Sequence, residues 1–298
     1  MANKLKLGII GISEGNGHPF SWSAIFNGYN PDEMKNCGFP IIPYYLSKQK
    51  YPQDFLSELA EVTHVWTQDP ELSRQIAKAS KIRNVIQHSE DFIGQVDAVL
   101  LARDDGQNHL EIALPFIKAG LPVFIDKPFA LSIHEADQML QAQVYEQQIF
   151  TCSTLRFAKE LLLSDNEKRQ LGKIAYVEGS VMKYWETYGM HILEPLVVQL
   201  PERGKLLSVI PVVSNGIHIV IIKWENCLAN LKITGNLPSE IMLSFYGENA
   251  NLTKTFEDSF SCFRTSLILF IKQINTREQI IPRSETLELV EILEKGTC

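Results

Sequence analysis

The stretch that most constrains the fold of this chain is Pro122-Val123-Phe124-Ile125-Asp126-Lys127-Pro128. Its apolar run is short, β-branched and aromatic, and it closes abruptly on Asp-Lys-Pro, the pattern of a buried parallel strand meeting its carboxyl edge. Ligands of open α/β sheets bind outside that edge. Lys127 is therefore placed to reach a ligand, and Pro128 restricts the backbone just after it. A solvated lysine in a plain strand-to-helix loop would have the same local sequence, so the rest of the chain decides between the two.

The segments around this strand alternate in type. Leu5 to Ile10 reads as a first buried strand and Gly11-Ile12-Ser13-Glu14-Gly15-Asn16-Gly17-His18-Pro19 as a glycine-rich turn. Trp22, Ile25, Phe26 and Tyr29 then recur at helical spacing, with Gly28 helping to end the helix. Further strands are expected at Phe39 to Leu46, Val62 to Trp66, Val96 to Ala102 and Ile149 to Ser153. Helices are expected after Asp69-Pro70, from about Asn108 to Gly120, and from the capping box Ser132-Ile133-His134-Glu135. Strands alternating with helices over this length imply a parallel, doubly wound sheet with right-handed crossovers.

Strand, glycine-rich turn and helix together open a dinucleotide-binding unit, because glycines allow close backbone approach and the helix start offers free N–H groups to a pyrophosphate. Gly8, Gly11, Gly15 and Gly17 do not form G-x-G-x-x-G, and the loop reads as lengthened. A ribose is commonly gripped by a carboxylate at the end of the second strand. The expected end, Pro43 to Lys48, carries none; Asp32 and Glu33 fall before it, and Lys48 and Lys50 lean the choice between NAD and NADP toward NADP.

From Gly172 the texture changes. Lys173 to Tyr184, Lys205 to Val213, Gly216 to Trp224, Ala229 to Thr234 and Glu240 to Tyr246 read as strands of a mostly antiparallel sheet. Tyr188 to Val198 reads as a helix, and Glu285 to Glu294 as a closing amphipathic helix. The expected architecture is an α/β chain with an amino-terminal Rossmann domain over 1–128, its sixth strand and crossover reaching about 157. A substrate-binding and dimerisation α/β domain with an open sheet follows over 129–298.

Composition narrows the partners. With 45% hydrophobic and 21% charged residues the chain is globular, and a net charge of -7 disfavours nucleic acid or anionic membrane as a main partner. Cys37, Cys152, Cys227, Cys262 and Cys298 show no C-x-x-C spacing, and their odd number points to free thiols. The amino terminus has no signal-peptide core and no apolar run suits a membrane span, so a cytoplasmic protein is expected. The histidines do not pair at ligand spacing, so no metal is expected.

The order of these pieces resembles the glucose-fructose oxidoreductase / inositol dehydrogenase / MocA family. Asp126-Lys127-Pro128 stands in the place of its Glu-Lys-Pro signature, Leu155-Arg156-Phe157 resembles its arginine segment, and Gly189-Met190-His191-Ile192-Leu193-Glu194 resembles its Gly-x-His-x-x-Asp helix start. The resemblance implies an NAD(P)-dependent oxidoreductase that moves a hydride between nicotinamide and a ring carbon of a sugar, cyclitol or nucleotide-linked sugar. It makes Lys127 the proton-transfer group, with His191 as its partner. The cofactor contacts it implies are Gly8, Gly11, Ser13, Gly15, Asn16, Gly17, His18, Arg103, His109, Asp126, Lys127 and Pro128.

Two departures matter. Thr187 occupies a position where many relatives carry an aspartate, which shifts proton transfer onto Tyr188, Tyr184 or Lys127; Glu194 replaces the second aspartate. The exit of the fourth strand, Ala102-Arg103-Asp104-Asp105-Gly106-Gln107-Asn108-His109, is more charged than the family's. Arg156, Lys183, Tyr184, Trp185 and Tyr188 suit a polyhydroxylated ring through hydrogen bonds and stacking. The alternatives are a binding or regulatory protein of the same fold that does no chemistry, and a lyase or epimerase that recycles its cofactor. Association into homodimers or homotetramers is expected, with Ile217 to Ile222 and Ser266 to Ile271 as candidate surfaces.

Overall fold

The computed structural model describes residues 4–297. Cys298 and the first three residues of the amino-terminal segment lie outside them. Twelve strands and eleven α-helices follow one another among the described residues. The strands are β1 (Leu5–Ile10), β2 (Ala60–Trp66), β3 (Asn84–Val85), β4 (Ala98–Leu101), β5 (Val123–Ile125), β6 (Ile149–Thr151), β7 (Ile174–Val181), β8 (Leu206–Ser214), β9 (Ile217–Trp224), β10 (Leu228–Ile233), β11 (Met242–Gly247) and β12 (Asn251–Thr255). The helices are α1 (His18–Asn27), α2 (Pro31–Met34), α3 (Ile41–Ser47), α4 (Pro70–Ala79), α5 (His109–Lys118), α6 (Ile133–Gln141), α7 (Asp165–Leu171), α8 (Trp185–Tyr188), α9 (Met190–Gln199), α10 (Ser259–Thr276) and α11 (Arg283–Gly296).

The chain divides into two compact units. The first holds the residues up to Phe129, Asp137–Thr151 and Phe263–Ile281; the second holds Ala130–Ala136, Cys152–Cys262 and the residues from Pro282. In the first unit the strands form one parallel sheet in the order β3-β2-β1-β4-β5-β6. Residues 7–10 of β1, and β4 and β5 throughout, are buried, which is why these stretches read as apolar runs. The order reverses between β1 and β4, the switch point at which such sheets bind ligands.

The expected strand at Phe39 to Leu46 is a helix instead. Ile42, Tyr45 and Leu46 are its buried residues, at i, i+3 and i+4. Pro43 falls in its first turn, where a missing N–H costs nothing, whereas in a central strand it would break the ladder. The sheet's sixth member is the two-residue β3. The run Ser266 to Ile271 is also not an association surface. It lies in α10, where Ser266, Leu267, Phe270 and Ile271 are buried and the Phe270 ring packs 5.6 Å from Phe124 and 5.9 Å from Phe150. Gln273 of the same helix donates to the carbonyls of Gln147 and Ile149, which ties this late segment to the first unit.

The second unit is built on a sheet ordered β12-β11-β7-β10-β9-β8, antiparallel except for the pairing of β7 with β10. Its covered face packs Val177, Val181, Val220, Ile222, Leu231 and Phe245 against Ile192 and Leu196 of α9 and Leu289 and Ile292 of α11. β8, at the edge of the sheet, leaves Leu207, Ile210, Val212 and Val213 exposed. Cys37, Cys152, Cys227 and Cys262 are buried thiols. No helix among the described residues is long and apolar enough to cross a membrane.

Candidate functional site

At the switch point of the first unit, the exits of β1, β4 and β5 bring together six polar side chains: Ser13, Asn16 and His18 from the glycine loop, Asp104 after β4, and Asp126 and Lys127 after β5. Lys127 is only 2% exposed, and its Nζ donates to Asp104 Oδ2 at 3.1 Å. The Ser13 hydroxyl donates to Asp104 Oδ1, and the Asp104 backbone N–H donates to Ser13 Oγ at 3.0 Å. Asp126 takes a second set of donors: its Oδ1 accepts the Lys127 backbone N–H at 2.8 Å, while its Oδ2 meets the Asn16 amide at 3.1 Å and His18 Nδ1 at 2.5 Å. The His18 ring is stacked 5.0 Å from Trp22 and meets Phe263 edge-on, which fixes its plane.

Electrostatics follow from these contacts. Burial works to raise the Asp104 pKa, but the Lys127 charge, the Ser13 hydroxyl and the Lys127 hydrogen bond outweigh it and hold the carboxyl below its ordinary range. Asp105 is likewise lowered against burial, by Arg103 and Asn108. His109, expected near a cofactor, is instead fully buried, with its ring nitrogens on the carbonyls of Phe129 and Arg103. Burial pushes its pKa down against the Asp126 charge and those two carbonyls. It is a core histidine that pins the turn after β4.

The glycines divide by role. Gly8 lies inside β1, where an added Cβ would sit 3.0 Å from the Phe92 ring, so packing rather than a ligand requires it. A Cβ at Gly11 would come 2.2 Å from Pro19, and one at Gly17 would come 2.6 Å from Ile42 and 2.8 Å from Phe39. Gly15 has φ 78, a conformation open to glycine, and with Glu14 it is the exposed tip of the loop. The Lys127–Pro128 peptide bond is cis.

A dinucleotide needs N–H donors for its pyrophosphate. The backbone N–H groups of Ser13, Glu14, Gly15 and Gly17 have no partner among the described residues, so the loop fits that requirement as an anion-binding turn beside a helix start. The ribose end departs from the usual pattern. The true second strand, β2, leaves through Thr67-Gln68-Asp69, where Asp69 is spent capping α4 by accepting the Glu71 N–H. Gln68 Nε2 donates to the Ile12 carbonyl at 2.7 Å, and its Oε1 accepts the Ile12 N–H at 3.2 Å and Arg103 Nη1 at 2.9 Å. Arg103 also grips Asp105 through Nε at 2.9 Å. The lean toward NADP loses its basis, since Lys48 lies on the α3 side of the unit with its Nζ 3.8 Å from the Tyr44 ring centre.

The second unit holds the other expected residues. His191, the second residue of α9, is 8% exposed; its Nδ1 meets Ser153 Oγ at 2.8 Å and its ring stands edge-on to Tyr188, centroids 4.9 Å apart. Glu194 accepts the Ser153 N–H at 2.9 Å, so Ser153 links the two. Lys183 Nζ donates to the Tyr188 hydroxyl at 2.6 Å, and Tyr184 is 60% exposed. Arg156 forms an ion pair with Glu285, which engages its charge within this unit. Trp185, expected to line a substrate, is instead core: it is wholly buried, its Nε1 donates to the Leu293 carbonyl, and Gly189 is small because a Cβ there would lie 2.5 Å from the Trp185 ring. Sequence reading missed Ser153 and Gln68. Only their positions just beyond strand ends signalled them.

A parallel Rossmann sheet, with a charged cluster and a glycine turn of N–H groups unpartnered among the described residues at its switch point, and a second unit with a mostly antiparallel sheet are the architecture of a two-part dinucleotide-binding class. Residues 40–153 match the model of the oxidoreductase family with an NAD-binding Rossmann fold, Gfo/Idh/MocA. The match shows a likeness to that family over this segment, well under half of the chain. No curated protein sequence matches it. Among solved structures it is similar to GenD2 from gentamicin A biosynthesis in complex with NAD, with TM-score 0.71, 14% identity, and coverage of 99% of this chain and 93% of that one. It is similar to scyllo-inositol dehydrogenase from Lactobacillus casei, with TM-score 0.69, 14% identity and coverage of 99% and 96%. It is also similar to biliverdin reductase from Synechocystis sp. PCC 6803 in complex with biliverdin and NADP+, with TM-score 0.70, 12% identity and 97% coverage of both chains. The family match takes in Asp104, Asp126 and Lys127 but begins after the glycine loop.

Proposed function

We propose that this protein is an NAD(P)-dependent oxidoreductase acting on a ring carbon of a sugar, cyclitol or nucleotide-linked sugar. The observation that carries this reading is the buried Lys127 at the switch point, beside a loop in which the N–H groups of Ser13, Glu14, Gly15 and Gly17 have no partner among the described residues. Ser13, Glu14, Gly15 and Gly17 would hold the pyrophosphate through their backbone. A bound nicotinamide supplies or takes up the hydride. Lys127 holds the proton that the substrate oxygen gains or loses, a role for which a buried, charge-paired lysine is suited. His191, Tyr188 and Lys183 are assigned to recognition of the hydroxyl-rich substrate, with Tyr184 as a stacking surface. Scyllo-inositol dehydrogenase among the similar structures supports a cyclitol or sugar, while biliverdin reductase shows that the fold also serves other ligands.

Calorimetric titration with NAD(H) and NADP(H) tests the reading first. Binding of one pair, followed by a sugar and cyclitol screen, is expected to reveal turnover that Lys127→Ala lowers by about a hundredfold or more. Turnover within a few-fold of wild type in that variant would sink the catalytic assignment. The second reading is a binding protein of the same fold that does no chemistry, favoured by Gln68 where a ribose carboxylate is usual. Absence of binding to all four nucleotides would select it. Association through the second sheet, at whose edge β8 exposes Leu207, Ile210, Val212 and Val213, belongs to the same proposal. Light scattering that gives a monomer at every concentration would overturn it.

A further inference from the structure

The turn Arg103-Asp104-Asp105 carries three charges, and the structure uses them unequally. Arg103 and Asp105 bind each other, leaving Asp104 directed at Lys127. Asp104 is itself immobilised: Ser13 gives a hydrogen to Oδ1 and accepts one from the Asp104 backbone, so that Oδ2 is the oxygen presented to Lys127 Nζ. The second carboxylate near the lysine, Asp126, is committed to His18, Asn16 and the Lys127 backbone. The charged and titratable groups of the first unit around this point are therefore His18 from α1, Asp104, Arg103 and Asp105 after β4, His109 at the start of α5, and Asp126 after β5.

We propose that Asp104, braced by Ser13, is a positioning residue that keeps the Lys127 ammonium aimed at the reacting oxygen of the substrate, where it gives up a proton in carbonyl reduction. This rests on the proposed role of Lys127 and deepens it. A charge-assisted hydrogen bond to a carboxylate that is itself held in place fixes the direction of a flexible lysine side chain. As the substrate carbonyl oxygen gains negative charge, one Nζ–H bond breaks, its electron pair stays on nitrogen, an O–H bond forms, and nitrogen regains a proton from solvent. The loop serine has a reason of its own in this arrangement. A glycine at position 13 would leave Asp104 Oδ1 without its donor.

The test reads the 13Cε resonance of Lys127, assigned by its loss in Lys127→Arg, in nucleotide-free protein at neutral pH. Asp104→Asn is expected to shift that resonance and narrow its line as the side chain loses its fixed direction, with Asp104→Glu restoring most of the change and Ser13→Ala producing part of it. In carbonyl reduction Asp104→Asn is expected to lower kcat about tenfold or more with KM changing little. A resonance that keeps its position and width in folded Asp104→Asn overturns the proposal. Should that variant not fold, an unchanged resonance in Ser13→Ala together with Asp104→Glu does the same. The resonance is read without nucleotide, so a shift without nicotinamide binding upholds the pair and defeats the oxidoreductase reading alone.

Discussion

Two ion pairs, one in each unit, are set up in opposite ways. In the first unit, Lys127 and Asp104 have side chains 2% and 11% exposed, enclosed at a strand exit. In the second, Lys254 and Glu167 are 18% and 25% exposed, and Glu167 also closes the capping box of α7 with Ser164. The half-exposed pair supports a local helix start. Burying two charges gains little stability over an apolar pair and leaves a large penalty when one partner is lost. A pair kept at that cost, at the point where such sheets bind ligands, is what the proposed chemistry calls for.

The largest effect expected is on the buried pair. Asp104→Asn should cost about 3–5 kcal/mol at pH 7, because it takes the Asp104 counter-ion from a buried lysine, and adding Lys127→Met should recover most of the loss. Denaturant unfolding of the two variants measures this. A cost below about 1 kcal/mol for the single change would erase the contrast between the two pairs. The sign with pH is set by the lowered pKa of Asp104: its contribution is complete above the carboxyl's unfolded value and disappears as pH falls through the folded one. The gap between wild type and Asp104→Asn should therefore narrow on acidification.

The smallest effect is on the second pair. The hydrogen bond from Lys254, then those from the Ser164 backbone and hydroxyl, lower the Glu167 pKa to about 2. Its contribution is present above the ordinary value of 4.5 and is lost between there and about 2. Partial exposure screens it, so Glu167→Gln should change stability by less than about 1 kcal/mol at neutral pH. A larger loss would mean that α7 matters to the whole unit, and thermal unfolding of the variant reads it directly.

Legibility varied by kind of signal. The buried stretches of β1, β4 and β5 could be read because strand residues buried on both faces must be apolar. Lys127 could be read because Asp-Lys-Pro interrupts such a run. The stretch Phe39 to Leu46 could not, since short apolar runs suit strand and helix alike and only Pro43 weighed for the helix. Displacing that strand also misplaced the ribose-binding edge, which hid Gln68. Trp185 and His109 were residue types that suit binding sites, and burial decided against both.

The sequence alone determined the alternation of strands and helices, the change of texture near Gly172 and the lysine at a strand exit, because periodicity and chain punctuation are local properties. Tertiary structure alone decided the partners. Asp104 lies 23 residues from Lys127 and 91 from Ser13, and no local pattern distinguishes a solvated charged turn from a buried counter-ion. Only the parallel stacking of β1, β4 and β5 brings their three exits to one edge.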